Sequence, residues 1–264
     1  MDAKKVSDRK RRGALPPGGR LYKRVADELR ASIIGGVYPA GRRLPAEREL
    51  AEMFNVSRPT VREAVIALEL QDLVEVRMGA GVFVLEVSAA GVATSAGTEL
   101  TIGPFELMEA RRIIESETAA LAATLIDEEQ LERLDAIVAR MEEENRLQLQ
   151  SESADRQFHV AIAESTRNSA LAAVIDNLWE IRETSPMMIS LMQKARSKGV
   201  RPMVDEHRGI VAALRARDPE AARAAMQRHL ARVIEELLQA TETEAIERVR
   251  TESAARRRRF RRGT

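Results

Sequence analysis

Residues 44–85, LPAERELAEMFNVSRPTVREAVIALELQDLVEVRMGAGVFVL, leave the first third of this chain few ways to fold. Pro45 suits the first turn of a helix running through AERELAEMFN. A short turn at Asn55 and Val56 follows, and Ser57 is a good N-cap for the next helix, RPTVREAVIALELQ. The pattern then changes to that of strands, VEVR (74–77) and VFVL (82–85), joined by the glycine-containing turn Met78-Gly79-Ala80-Gly81. Ahead of this block, Leu21 to Ile34 reads as an amphipathic helix with Tyr22, Val25, Leu29 and Ile33 on one face. Helix, helix, turn, helix and a two-stranded wing is the order of a winged helix-turn-helix, placed at residues 20–86.

The rest of the chain has a different character. EVSAAGVATSAGT (86–98) is small and polar, without periodicity, so residues 87–102 read as a linker. From Gly103 onward no strand signal interrupts a succession of helices, expected at 104–125, 128–148, 153–166, 169–183, about 187–196, 202–216 and 219–239. The fold class is therefore mainly α, a winged helix-turn-helix followed by an antiparallel all-helical bundle at 103–241. Aromatic residues are only 3%, in keeping with a helical chain rich in alanine, leucine, glutamate and arginine. With no cysteine, disulfides and thiolate metal sites are excluded. No apolar run reaches the roughly 20 residues that cross a bilayer, and no secretory h-region follows the basic N-terminus. A cytoplasmic protein with no membrane partner is expected.

Charge is unevenly spread. Residues 1–24 carry nine Lys/Arg against two Asp, and RRRRFRR (256–262) adds six arginines, yet the whole chain is only +1. Two basic, disordered ends, 1–19 and 242–264, thus flank an acidic body, as expected of arms that meet a polyanion or of simple solvated tails. Residues 20–86 balance ten Lys/Arg with ten Asp/Glu, so an argument for DNA must rest on placement. In a helix-turn-helix the start of the second helix enters the major groove. Here that start is Ser57-Arg58-Pro59-Thr60-Val61-Arg62. Arg58 and Arg62 share a helix face and could fork onto guanine edges, while Ser57 and Thr60 suit phosphates or bases. Arg48 on the preceding helix is placed to help, and the wing tip at Met78-Gly79 could approach the minor groove. For each arginine singly, a solvated surface charge is the competing account.

The segment as a whole resembles the DNA-binding domain of the GntR family of bacterial transcription regulators. Members contact DNA through the arginine of P-A-E-R, the S/T-R-x-T-V-R run and a wing glycine. The resemblance thereby implies Arg48, Ser57, Arg58, Thr60, Arg62 and Gly79 as DNA-binding residues. Many members have Arg or His where this chain has Met78, so contact there is expected to be weaker or apolar.

In the helical half, the chain's three histidines fall on three different helices: His159 in SADRQFHVAIAEST, His207 in VDEHRGIVAAL and His229 in MQRHLARVIEELL. Asp155 lies four residues before His159 and therefore on the same helix face. Imidazoles and a carboxylate are ordinary ligands for a divalent ion, and bundle cores build such sites from facing helices. The competing account is satisfied core histidines, and spacing alone leaves both open.

This half resembles the FCD ligand-binding domain of the FadR-type branch of the same family. The shared marks are Arg111-x-x-x-Glu115, Asp155-x-x-Phe158-His159, Glu206-His207 and His229-Leu230. The resemblance implies one divalent ion, zinc first and nickel, manganese or cobalt as alternatives, held by Asp155, His159, His207 and His229. It implies too a small carboxylate effector beside the ion, its charge met by Arg111, with Asn177 and Arg182 as further candidates. For Arg111 a surface pair with Glu115 is the alternative. A finer resemblance, to hexuronate-operon repressors, is carried by GAGVFVLE, TIGPFELMEARRIIES, QFHVAIAESTRNSAL and LWEIRETSPMM. It implies a sugar acid as effector, with another organic acid such as lactate as the alternative.

The expected function is that of a homodimeric repressor, released from double-stranded operator DNA by that acid. The rival from another class is a metal-dependent hydrolase or isomerase joined to a DNA-binding head. The sequence offers it no evident general base, since Glu206 beside His207 belongs to another helix face. A purely structural ion, with the effector elsewhere, is the third reading.

Overall fold

A computed structural model of the chain describes residues 20–77, 80–86, 102–148 and 153–241. Both basic ends, nearly all of the expected linker and the wing tip Met78-Gly79 lie outside the described residues. Among the described residues there are ten helices and one two-stranded sheet. They fall into two compact units, one spanning Pro104–Ala240 and one formed by the described residues before it together with Thr241. No helix among the described residues is long and apolar enough to cross a membrane.

In the first unit, α1 (Leu21–Ile34) and α2 (Glu47–Phe54) both pack on α3 (Arg58–Glu69). Tyr22, Val25, Leu29 and Ile33 of α1 and Leu50 of α2 are buried, with Val61, Ala64, Val65 and Leu68 of α3. Each of the large side chains contributes roughly 1.5–3 kcal/mol by leaving water. Pro45 stands one residue ahead of the N-cap Ala46, rather than in the first turn as expected, and the Glu49 side chain accepts from the Ala46 amide at 2.8 Å. Asn55 ends α2 in the left-handed region (φ 53°), which Asn tolerates better than most residues. Ser57 caps α3 as expected, accepting from the Thr60 amide at 3.3 Å.

The wing is the antiparallel pair β1 (Val74–Arg77) and β2 (Gly81–Val84), in register Val74 to Val84 and Arg77 to Gly81. The loop before α2 extends it, with Leu44 donating to the Val82 carbonyl and Val84 donating to the Arg42 carbonyl. Gly81 has φ +110°, and a Cβ there would stand 2.4 Å from Arg43 Nε, so only glycine fits.

The second unit is helical throughout: α4 (Pro104–Leu125), α5 (Glu128–Arg146), α6 (Ser153–Ser165), α7 (Ser169–Thr184), α8 (Pro186–Ser197), α9 (Val204–Arg215) and α10 (Pro219–Thr241). Three sequence breaks are caps that satisfy orphan helix amides. Asp127 and Gln130 form a reciprocal capping box, Asn168 accepts from the amides of Ala170 and Leu171, and Asp218 accepts from those of Glu220 and Ala221. Helix α4 lies among α6, α7, α8 and α9. Its buried Ala119, Ala120, Ala122 and Ala123 allow close approach there, and its buried Arg111 and Glu115 project a charged pair into the interior.

Candidate metal centre and DNA-contacting helix

Asp155 and His159 on α6, His207 on α9 and His229 on α10 are all buried, and each offers a ligand atom within 4.8 Å of the others. Ligands at 2.0–2.2 Å from a shared ion stand about 4 Å apart across it, so the four are near closure. His207 Nε2 is 3.0 Å from Asp155 Oδ1, and His159 Nε2 is 3.7 Å from the same oxygen. The edge of Phe158 meets the rings of both histidines, and the His229 ring lies 4.5 Å from that of His207 and 5.4 Å from that of His159.

The outer nitrogen of every ring is already engaged. Nδ1 of His159 meets Glu115, Nδ1 of His207 meets the Met203 carbonyl at 2.9 Å, and Nδ1 of His229 meets Glu206 Oε2 at 2.9 Å. Acceptors behind Nδ1 favour the tautomer that would turn Nε2 toward an ion, although His207 Nε2 also stands 3.0 Å from Asp155 Oδ1. Neither nitrogen of the buried His159 makes a well-formed hydrogen bond, although Nδ1 stands against Glu115 and Nε2 lies 3.7 Å from Asp155 Oδ1. Three inward Nε2 lone pairs with one carboxylate are a donor set that fits zinc and its neighbours in the series. Glu206 was placed on another helix face by the sequence. It does face away from the ligand set, yet it orients His229 from behind and also accepts from Arg232 Nε at 2.6 Å.

The electrostatics follow from this packing. Burial opposes ionisation of Glu115, but Arg111 and then His159 outweigh it and hold its carboxyl at about 2. Asp155 is likewise held well below the ordinary carboxylate range, the nearby imidazoles of His159 and His207 overcoming burial. Burial alone would depress His159, but the carboxylates of Glu115 and Asp155 raise it. His229 goes the other way: burial dominates, Glu206 only partly offsets it, and its pKa falls to about 4.

Arg111 forms the pair with Glu115 that was the alternative to effector binding, Nε donating to Oε1 at 2.7 Å, but the pair is buried rather than on the surface. Its guanidinium lies 4.1 Å over the Trp179 ring, and that of the buried Arg182 lies 4.6 Å over the same ring. Trp179 in turn stands 5.3 Å from His159. Arg111 and Arg182 thus reach the cluster's surroundings. Asn177 does not: it is exposed, about 200° around α7 from Trp179, because adjacent-but-one helical residues face opposite ways. The sequence reasoning missed Trp179 and the Met203 carbonyl. The single tryptophan of the chain was a signal available for the first, but a backbone carbonyl has none.

On the DNA-facing unit, Arg48 and Arg58 are exposed at the surface, Arg48 beside Glu52 at 3.6 Å. The hydroxyls of Ser57 and Thr60 bond each other at 2.8 Å at the start of α3. Arg62 departs from the expectation of a groove-facing side chain. Its guanidinium is 4% exposed and donates from Nε to Glu47 Oε2 at 2.9 Å, while Arg58 stands 3.9 Å from the same oxygen. Reading a base from Arg62 requires it to leave Glu47. Gly79 lies outside the described residues.

A winged helix-turn-helix unit carried on one chain with a separate helical sensing unit defines a ligand-responsive DNA-binding regulator. The chain belongs to the gntR family of bacterial regulatory proteins, whose model matches residues 21–84, and it carries an FCD domain at residues 106–232. It is 40% identical over 225 residues to the Uxu operon transcriptional regulator of Escherichia coli (strain K12), covering 83% of this chain and 88% of that one. It is 39% identical over 213 residues to the Exu regulon transcriptional regulator of the same strain, covering 80% and 82%. The Uxu operon regulator of Haemophilus influenzae is 34% identical over 226 residues, 85% of each chain. These relatives are transcription regulators, not enzymes, and the hydrolase or isomerase reading is set aside with them.

Proposed function

We propose that this regulator binds operator DNA through its first unit and loosens its hold when a sugar acid binds beside a divalent ion in its second. The reading assigns residues 20–86 to DNA, 87–102 to the linker, 103–241 to sensing, and the ends 1–19 and 242–264 to salt-dependent attraction for the DNA backbone. Arg48, Ser57, Arg58 and Thr60 make the DNA contacts, with Gly79 at the wing tip, and Arg62 joins them on release from Glu47. Two such heads on a homodimer match a near-palindromic operator.

The observation that carries the sensing half is the convergence of Asp155, His159, His207 and His229 with every outer nitrogen engaged. A bound ion would supply Lewis-acidic positions for an oxygen ligand. The charge around it favours an anion. Arg111 and Arg182 balance Glu115 and Asp155, so a divalent ion with neutral imidazoles leaves excess positive charge buried in the unit. A carboxylate compensates it. Relatives named for the Uxu operon and Exu regulon, together with the resemblance to hexuronate-operon repressors, favour hexuronates over other acids such as lactate.

The test is a thermal-shift screen of hexuronates, lactate and other small carboxylates, with and without chelator, followed by operator binding. Hexuronates are expected to raise the melting temperature of zinc-loaded protein, to lose that effect with chelator, and to weaken operator binding. A hit that persists in chelator would refute the metal-dependent reading. Lactate acting where hexuronates do not would refute the sugar-acid assignment. If the ion is only structural, Arg111→Ala will leave the response to the acid intact.

A further inference from the structure

The body of Trp179 is accounted for by packing: it is 0% exposed and sits with Ala163 and Ile175, against Ile114, Val160 and Ala172. Its Nε1–H is not. That atom is buried without a hydrogen-bond partner, and an indole nitrogen only donates. Buried donors in folded proteins are nearly always paired, so an unpaired one calls for an explanation. The two cations and the imidazole beside the ring do not accept from it. Arg111 and Arg182, whose guanidiniums lie over it at 4.1 and 4.6 Å, carry donors only. His159, at 5.3 Å, has its Nδ1 against Glu115 and its Nε2 among the four candidate ligands. An acceptor carried in by a bound acid would meet this donor.

We infer that the indole N–H of Trp179 donates to a hydroxyl oxygen of the bound acid, and that this contact selects hydroxylated carboxylates over bare ones. The inference rests on the sugar-acid reading above and extends it to a specificity residue. The acid's carboxylate is drawn to the positive charge of the site, as any carboxylate would be. A neutral donor held next to that charge reads what distinguishes a sugar acid from a fatty acid of the same charge, an uncharged oxygen. A site built to hydrogen-bond a hydroxyl rejects the analogue lacking it, because its own donor is then left unmet.

Trp179 is the chain's single tryptophan, so isotope-labelled protein gives one indole N–H signal in heteronuclear NMR. With zinc-loaded protein, D-glucuronate or D-galacturonate should move that signal and slow its exchange with water, and butyrate should not. Trp179→Phe keeps an aromatic ring beside the two guanidiniums but removes the donor. Its zinc affinity by calorimetry should match wild type, whereas its hexuronate affinity should fall by roughly 3- to 10-fold, the range of one neutral hydrogen bond. If wild type binds a hexuronate with the indole signal unmoved, or Trp179→Phe binds it as tightly, Trp179 is not the reader. An equal shift from butyrate would overturn the selection of hydroxyls. If zinc-loaded wild type binds neither hexuronate, the sugar-acid reading fails first and this assignment falls with it. The NMR measurement needs only wild type, so it stands even where the variant folds poorly.

Discussion

Glu115→Gln should separate the buried charge relay from the ligands it supports. The substitution keeps the size of the side chain but removes the charge that both Arg111 and His159 face. A carboxyl held at about 2 rather than near 4.5 contributes roughly 3 kcal/mol of stability at neutral pH. Removing one partner of a buried ion pair costs about 3–5 kcal/mol by an independent route, so the two estimates agree. For a unit of this size the loss corresponds to a melting temperature lower by roughly 6–12 °C. Because Trp179 is the only tryptophan and lies in the second unit, its fluorescence follows the unfolding of that unit alone. The measurement is thermal unfolding of metal-free protein in chelator, wild type against variant, across pH. A depressed carboxyl stabilises above its unfolded pKa, and this contribution is lost as pH falls through the folded value. The deficit of the variant should thus shrink as pH falls below about 4.5 toward 2, and shrink also as pH rises through the raised pKa of His159, leaving the part owed to Arg111. A variant melting with wild type at pH 7 would refute the relay as a stabilising element.

Three further outcomes are expected. Arg58→Ala should weaken operator binding by about 1–3 kcal/mol with no loss of fold stability, since its side chain is half exposed. Arg62→Ala should also lower the melting temperature of the first unit, because it strands Glu47; equal melting of the two variants would contradict this. At pH 7 zinc binding should release protons chiefly from His159, whose pKa is raised, and not from His229, held at about 4. Zinc affinity should accordingly rise with pH until His159 is neutral. Calorimetry in buffers of different ionisation enthalpy measures this, and an absence of proton release would refute it.

What the sequence revealed divides along a physical line. Helix positions were legible because their signals are local: Asp127, Asn168 and Asp218 cap helices within three residues of themselves. The four-residue cluster was suggested by the few histidines and by Asp155 and His159 sharing a helix face, but spacing left it open and only the resemblance to the FCD domain implied the full ligand set. The partners behind those residues were not legible. Glu206 reaches His229 across two helices, and the burial of Arg62 depends on Glu47, fifteen residues earlier on another helix. A face assignment gives direction around an axis, but it does not say which neighbour stands in that direction. Asn177, like Arg182, was suggested by its place on the helix after the Asn168 turn, and the helical turn leaves its side chain exposed.

The four candidate ligands span positions 155 to 229 in a chain without cysteine. An ion held by them would act as a cross-link, closing a long loop and removing unfolded conformations much as a disulfide does. Unlike a disulfide, that staple comes undone with a chelator or with acid rather than with a reductant. With such an ion, the architecture of the second unit would be tied to the supply of a metal before any acid arrives.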